Sequence, residues 1–293
     1  MHNMNQINGN QKTMDEIIEK HMKKILREVY EYMKVEGFEN PDLETRLLAE
    51  HIFGNSSPSE RKITYQERNH FKNHIEQLKM KIPVQRQVGY TIARGKKINI
   101  TSDVLLPGPE IEVLLDAFFD YAKDPQKVID LCTGCGVLAS LIGERFPEAK
   151  VYATDISEKA LDVAKTNIIS KNVEFLQGDL FEPLDKNRVY DADVLISNPP
   201  YCRTEDINQL PRQVKNHTPK IAIDGGEDGY SFHRRIIKGA SRYVRNNGLV
   251  ILENEIGQSP KLRIMLGENG YVVECTRKNG KGEERVIVAR RIK

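Results

Sequence analysis

Apolar residues along this chain follow two different rhythms. Up to about residue 81 they recur in threes and fours. Ile18, Met22, Ile25, Val29 and Tyr32 would share one helical face, and Thr13 with Glu16 has the spacing of a capping box ahead of them. Asn40 before Pro41 reads as an N-cap with proline at the first helical position. Leu47, Leu48 and Ile52 give that helix an apolar face, and Gly54 can end it. Thr64 and Glu67 form a second capping box before Phe71, Ile75 and Leu78. The pattern predicts a small helical bundle over residues 13–82. Residues 1–12 are rich in Asn and Gln and read as disordered.

From residue 83 the rhythm changes. Val88 to Thr91 and Lys96 to Thr101 flank Ala93-Arg94-Gly95, which predicts a hairpin connector over residues 83–106. Residues 107–293 then alternate short apolar runs with helical patterns. Val128 to Leu131, Lys150 to Thr154, Val173 to Leu176, Asp193 to Ser197 and Leu249 to Leu252 read as strands. Helices are expected through Leu138, Leu141 and Ile142, through Leu161, Ala164 and Ile168 after a Ser157 cap, and from Phe232 to Tyr243. Alternation of this kind predicts an α/β domain with a mainly parallel sheet covered on both faces. Its end differs: Tyr271 to Cys275 and Arg285 to Ala289 flank Lys278-Asn279-Gly280-Lys281-Gly282, the signature of an antiparallel hairpin. A Rossmann-like sheet finished in this way is unlike the plain dinucleotide-binding fold.

Composition narrows the function classes. The 293 residues are 39% hydrophobic and 29% charged, an ordinary profile for a soluble protein with more than one domain. No apolar run approaches the ~18 residues of a membrane span. Met1 to Lys20 has no apolar centre, so a cytoplasmic location is expected. A formal charge of +2 gives no strong case for a nucleic-acid partner. Cys132, Cys135, Cys202 and Cys275 are too few for a disulfide framework.

Two stretches carry candidate chemistry. Cys132-Thr133-Gly134-Cys135-Gly136 joins a strand to a helix, and its glycines allow a sharp turn and close approach to a ligand. Asp155 ends the next strand about 20 residues on, where an acid can grip a ribose diol. Asp179, after the third strand, would lie near a base. The same residues also read as an ordinary strand-to-helix turn with a solvated Asp155. Cys132 and Cys135 form a Cys-x-x-Cys, but the glycines beside them suit a cofactor better than a redox or zinc site, so no metal is expected.

The second stretch, Asn198-Pro199-Pro200-Tyr201, follows the apolar run Val194-Leu195-Ile196. A planar nitrogen shares its lone pair with a neighbouring π-system and attacks a methyl donor poorly unless it is aimed. The Asn198 side-chain oxygen can accept one of its protons and the Pro199 carbonyl the other. The prolines fix these acceptors in advance, and Tyr201 can stack on the planar group. Asn-Pro and Pro-Pro are also common loop dipeptides, so a plain polar turn remains the alternative at this point.

With these pieces the chain resembles the HemK/PrmC family, the N5-glutamine methyltransferases of peptide-chain release factors. The resemblance runs from about residue 40 to the C-terminus. It includes Leu106 to Glu112, Asp130 to Gly136, Asp155 to Ser157, Asn167, Ser197 to Tyr201, Asp224 to Gly226, and Glu253 to Gln258. It implies a class I S-adenosylmethionine-dependent methyltransferase domain behind a small helical domain that docks the protein substrate. It implies S-adenosylmethionine held by Cys132 to Gly136, Asp155 and Leu180, beside the Asp179 already placed near the base, with Asn198 facing both cofactor and acceptor. Asn198, Pro199, Pro200 and Tyr201 would hold a glutamine amide of the Gly-Gly-Gln loop of a release factor. The family usually has Arg and Thr where Gly108 and Ile111 stand, and Thr218 replaces an acid it often has. Two alternatives use the same scaffold: a relative methylating a small-molecule or peptide amide or amine in a biosynthetic pathway, and a nucleic-acid base N-methyltransferase.

Other polar residues read more plainly. His70 and His74 lie four apart on a helix, and a solvated face is expected. Lys79, Lys81, Arg86, Arg94, Lys96 and Lys97 form a basic run that reads as wet surface, with binding to RNA or an acidic partner as the alternative. Glu253 and Glu255 either line a pocket mouth or form salt bridges.

Overall fold

The computed structural model describes residues 24–38, 40–54 and 64–292. The reading of residues 1–12 as disordered and the capping box at Thr13 and Glu16, with Ile18 and Met22, lie outside the described residues. The chain divides into two compact units, one up to Gly89 together with Pro211–Gln213, and one of Tyr90–Leu210 and the residues from Val214 onward.

The first unit is helical: α1 (residues 24–35), α2 (Pro41–Phe53), α3 (Tyr65–Lys79) and α4 (Val84–Val88). The sequence fixes where α2 and α3 begin. The Asn40 side chain accepts from the Leu43 amide at 3.1 Å, with Pro41 at the first position. The Thr64–Glu67 box closes both ways, at 3.2 and 2.7 Å. Such caps contribute about 1 kcal/mol each. Met33, Leu47, Leu48 and Leu78 are fully buried. Helix α4, where part of a hairpin connector was expected, is capped from α2: the buried Glu44 carboxylate accepts from the Val84 amide at 2.8 Å. His74 departs from the solvated face expected for it. It is buried, its Nδ1 lies 2.6 Å from Gln87 Oε1, and its ring meets His51 edge-on.

The second unit opens with the hairpin β1 (Tyr90–Ala93) and β2 (Lys96–Asn99), turning at Arg94 and Gly95 as the sequence predicts. The hairpin is no detached connector: Ile98 and Ile100 enter the core of the sheet domain, and Asn99 exchanges hydrogen bonds with the Asn167 side chain. Much of the basic run is spent within the chain. Arg94 pairs with Glu112 and Asp116, Lys96 with Glu144, Lys81 with Glu36, and Lys79 with Glu76.

Next come α5 (Glu110–Tyr121), β3 (Lys127–Leu131), α6 (Val137–Arg145), β4 (Lys150–Asp155), α7 (Glu158–Asn167), β5 (Val173–Gln177), α8 (Glu182–Lys186) and β6 (Ala192–Ser197). The short α9 (Arg212–Lys215), then α10 (Ser231–Ala240), β7 (Val244–Glu253), α11 (Ser259–Glu268), β8 (Tyr271–Lys278) and β9 (Glu284–Arg291) complete the chain. The seven strands lie in the order β5-β4-β3-β6-β7-β9-β8. The five from β3 to β7 are parallel, and β9 and β8 are antiparallel. Side chains alternate across the sheet: Val128, Val194 and Ile196 pack into one core with α5, α6 and α7, while Ile129, Leu131 and Leu195 face α8, α10 and α11. This two-sided burial explains why residues 194–196 of β6 and 249–252 of β7 read as unbroken apolar runs. No helix among the described residues is long and apolar enough to cross a membrane.

Candidate active site

The strand order fixes the site. The chain runs from β3 outward to β4 and β5, then returns to lay β6 against the other side of β3. Helices leave in opposite directions there, and a crevice opens beyond the carboxyl ends of the two strands. Leu131 and Ser197 are register partners, and Ser197 Oγ donates to the Leu131 carbonyl at 2.7 Å. The residues that follow each, Cys132 and Asn198, therefore start side by side although 66 positions separate their strands' ends.

A cavity of about 1100 Å³, counting its open mouth, lies there. Cys132, Thr133, Gly134 and Cys135 line one part, with Asp155, Asp179 and Leu180 beside them, and Asn198 and Pro200 line another. Three expected site residues do not line it: Gly136, Pro199 and Tyr201.

The glycine loop is held by its own polar groups. Asp155 accepts from the amides of Gly134 (Oδ2, 2.9 Å) and Ser157 (Oδ1, 2.9 Å), so one carboxylate ties the end of β4 to the loop after β3. Burial raises its pKa despite these donors. Asp130 is fully buried and accepts from Thr133 Oγ1 at 2.6 Å, and desolvation pushes its carboxyl up to about 7. The Asn167 amide donates to the Cys135 carbonyl at 2.9 Å. Cys132 has φ +59°, a left-handed conformation that costs a non-glycine residue about 1–3 kcal/mol. Burial raises the thiol of Cys132 well beyond its usual range, which disfavours a reactive thiolate in this Cys-x-x-Cys. Both cysteines are free thiols.

Gly136 (φ +77°) is required by packing, since a Cβ there would stand 2.8 Å from Ala164 Cβ. A Cβ on Gly134 would meet nothing within 4 Å, so the cavity approaches bare backbone at that point. Thr154 Oγ1, buried in the lining, has no hydrogen-bond partner among the described residues. The floor thus offers bare backbone, an unspent hydroxyl and a carboxylate with lone pairs to spare. Asp179 is already paired, with Arg235 at 2.7 Å.

The tetrapeptide is braced from behind. Gln258 Nε2 donates to the carbonyls of Tyr201 and Gly229, both at 3.2 Å. The Cys202 amide donates to the Ile223 carbonyl, and the Gly225 amide donates back to the Cys202 carbonyl at 2.7 Å. Tyr201 donates its hydroxyl proton to Glu253 Oε1 at 3.0 Å and accepts from Arg285 Nη2 at 2.9 Å. Of the two readings of Glu253 and Glu255, salt bridging is what the geometry shows: both carboxylates face Arg285, at 3.4 and 3.7 Å. Arg285 and Gln258 were not singled out as site residues from sequence. Gln258 belongs to a quoted motif, whereas Arg285 sits 84 positions from Tyr201 and carries no local signal.

The family model described as Methyltransferase small domain matches residues 111–216. A protein of Thermodesulfovibrio yellowstonii named release factor glutamine methyltransferase is 35% identical over 238 residues, covering 79% of this chain and 84% of its own. The chain belongs to the release factor glutamine methyltransferase family. A second such relative, from Gloeobacter violaceus, is 35% identical over 71% of this chain and 74% of its own length. A third, from Geobacter sulfurreducens, is 28% identical but spans 92% of this chain and 96% of its own. A crystal structure of a methyltransferase from Pyrococcus furiosus superposes with a TM-score of 0.51 at 20% identity, covering 68% of this chain and 91% of that one, which supports the fold alone. The chain is therefore a methyltransferase, and the class I fold and the family resemblance read from its sequence are borne out.

Proposed function

We propose that this enzyme uses S-adenosylmethionine to methylate the side-chain amide nitrogen of the glutamine in the Gly-Gly-Gln loop of a peptide-chain release factor. One observation carries the reading: Cys132 to Cys135 of the glycine loop with Asp155, and Asn198 of the tetrapeptide, meet in a single cavity at the β3/β6 crossover. When bound, the cofactor supplies a methyl group on a positively charged sulfur, so a neutral nitrogen can accept it without a strong base. Asp155 would hold the ribose diol, the loop from Cys132 to Gly136 would let the cofactor approach its backbone, and Asp179 with Leu180 would border the adenine. Asn198 Oδ1 and the Pro199 carbonyl would each accept one amide proton and so aim the lone pair. Pro200 fixes the backbone, and Tyr201 would lie against the planar amide. Such catalysis rests on alignment and fixed dipoles, with little general-base help. Docking of the release factor falls to the helical unit.

Incubation with labelled S-adenosylmethionine and purified release factors tests the substrate directly: label is expected on the Gly-Gly-Gln peptide, and its absence rejects that acceptor. Asp155→Ala is expected to weaken cofactor binding by about 1.5–3 kcal/mol, the range for charged hydrogen bonds. Calorimetry reads this, and unchanged affinity would remove the ribose role. A second reading is favoured by Ile111, which puts an aliphatic wall on the cavity where the family usually has a hydroxyl. A free small-molecule amide is the acceptor in that case, and the same label would appear on it.

A further inference from the structure

Behind Tyr201 lies a charged cluster that neither the glycine loop nor the cavity lining uses. Arg285 is 7% exposed, at the start of β9, and Glu253 is 2% exposed, at the end of β7. The two are placed by the sheet itself: Glu253 pairs in register with Val286, and the Asn254 amide donates to the Arg285 carbonyl at 2.8 Å. Three carboxylates surround the guanidinium, at 3.4 Å (Glu253), 3.7 Å (Glu255) and 3.9 Å (Glu110, at the start of α5). Its shortest polar contact is with none of them. It is the neutral Tyr201 hydroxyl, at 2.9 Å, and the Tyr201 ring centroid lies 5.5 Å from the guanidinium carbon.

That ordering is informative. Burying an arginine costs several kcal/mol unless it is paired, and the hydrogen bond to Glu253 at 3.4 Å supplies part of that pairing. The same cation and carboxylate also converge on a single phenol, one donating to it and the other accepting from it. A hydroxyl fixed on both sides cannot rotate, and its ring has lost most of its freedom. Tyr201 is also held through its carbonyl by Gln258. We propose that Arg285 and Glu253 are positioning residues for methyl transfer, locking Tyr201 and with it the Asn198–Tyr201 segment before an acceptor arrives. The proposal rests on the reading that this segment holds the acceptor.

Glu253 also makes the lock sensitive to pH. Desolvation pushes its carboxyl up to about 7, against the opposing pull of Arg285 and the Tyr201 hydrogen bond. The charged or titratable groups facing it are Arg285 from β9, Glu110 from α5 and Tyr201 from beyond β6, while Glu255 and Cys202 face Tyr201. His233 of α10 bonds the Glu253 carbonyl at 2.8 Å, and burial lowers its own pKa to about 4, so it stays neutral through the relevant range. A carboxyl whose folded pKa is raised to about 7 is ionised above that value and neutral below it. Its grip on Arg285 and Tyr201 is therefore full above about pH 7 and weakens as pH falls through 7. An amide acceptor and Asn198 have no titration of their own there.

The test compares kcat, KM and cofactor affinity of variants with wild type, on any amide or amine that wild type methylates. A wrong acceptor then shows in wild type, whereas a wrong role for Arg285 shows only in the variants. Arg285→Gln is expected to lower kcat by about 10- to 100-fold, with cofactor affinity within twofold. Arg285→Lys, which keeps the charge but loses the fork, should recover part of that loss. Tyr201→Phe should match Arg285→Gln, and the double variant should fall no further, as coupled residues do. Wild-type kcat is expected to fall between pH 8 and 6, and Glu253→Gln should abolish that fall. Full kcat in a folded Arg285→Gln, or additive losses in the double variant, would overturn the proposal. Should Arg285→Gln fail to fold, Tyr201→Phe decides alone, because it removes only the hydroxyl: undiminished kcat rejects the lock and a 10-fold or greater loss supports it.

Discussion

Asn198→Ala is expected to lower methyl transfer by at least about 100-fold while leaving cofactor affinity within a few-fold of wild type. The magnitude follows from what removing one preorganised hydrogen-bonding group costs when it acts where charge shifts in the transition state, about 10²–10³ in kcat. The groups proposed for the two roles follow different strands. Asn198 follows β6, whereas the loop and the carboxylate assigned to the cofactor follow β3 and β4. Its side chain stands at the cavity wall, half-buried, so truncation opens no void in the core. Single-turnover kinetics with saturating cofactor, together with calorimetry, check this. Loss of cofactor binding in parallel with turnover would show that Asn198 does not act on the acceptor.

Gly229→Ala should produce a comparable loss from a residue that lies outside the cavity lining. A Cβ at this position would stand 2.5 Å from the Tyr201 carbonyl oxygen and 2.9 Å from Gln258 Nε2. The first of these is a backbone atom, so no rotamer change relieves the clash. Gly229 also has φ +74°, which adds about 1–2 kcal/mol for any residue with a Cβ. The Tyr201 backbone must therefore shift, and a displacement near 1 Å at a positioning segment costs about 100-fold in rate. Gly267→Ala is the control. It lies in α11, its added Cβ meets nothing within 4 Å, and helix propensity predicts a gain of about 0.5–1 kcal/mol with kcat unchanged. A Gly229→Ala enzyme with full kcat would mean that the loop from Gly225 to Gly229 does not brace the tetrapeptide.

Much of this architecture was legible in the residues. Apolar runs bounded by turn residues placed β3, β4, β5 and β6 to within a residue or two, because each strand sends apolar side chains into the cores beside the sheet. Asn40-Pro41 and the Thr64–Glu67 box placed two helix starts, because capping is a local matter of a side chain reaching an amide three positions on. Lys278 to Gly282 announced the final hairpin for the same local reason. Helix α4 was not legible, since its cap comes from Glu44 on another helix. Nor was the burial of His74, whose partners His51 and Gln87 are distant in sequence. The hairpin of β1 and β2 read as a linker, but its packing against the sheet domain depends on Asn167, 68 positions from Asn99.

The order of residues by itself determined the two halves of the candidate site, a glycine loop with its acid and an amide-proline segment with its ring. Their motifs are short, and their conformations are set by glycine and proline within a few positions. Only the tertiary structure decided that Cys132 to Cys135, Asp155, Asn198 and Pro200 line one cavity, because it laid β6 against β3 rather than beyond β5. It alone decided what stands behind Tyr201, because Arg285 reaches that hydroxyl through the β7–β9 pairing. Local rules act over three or four residues; strand order and the burial of a charge are settled by the whole sheet at once.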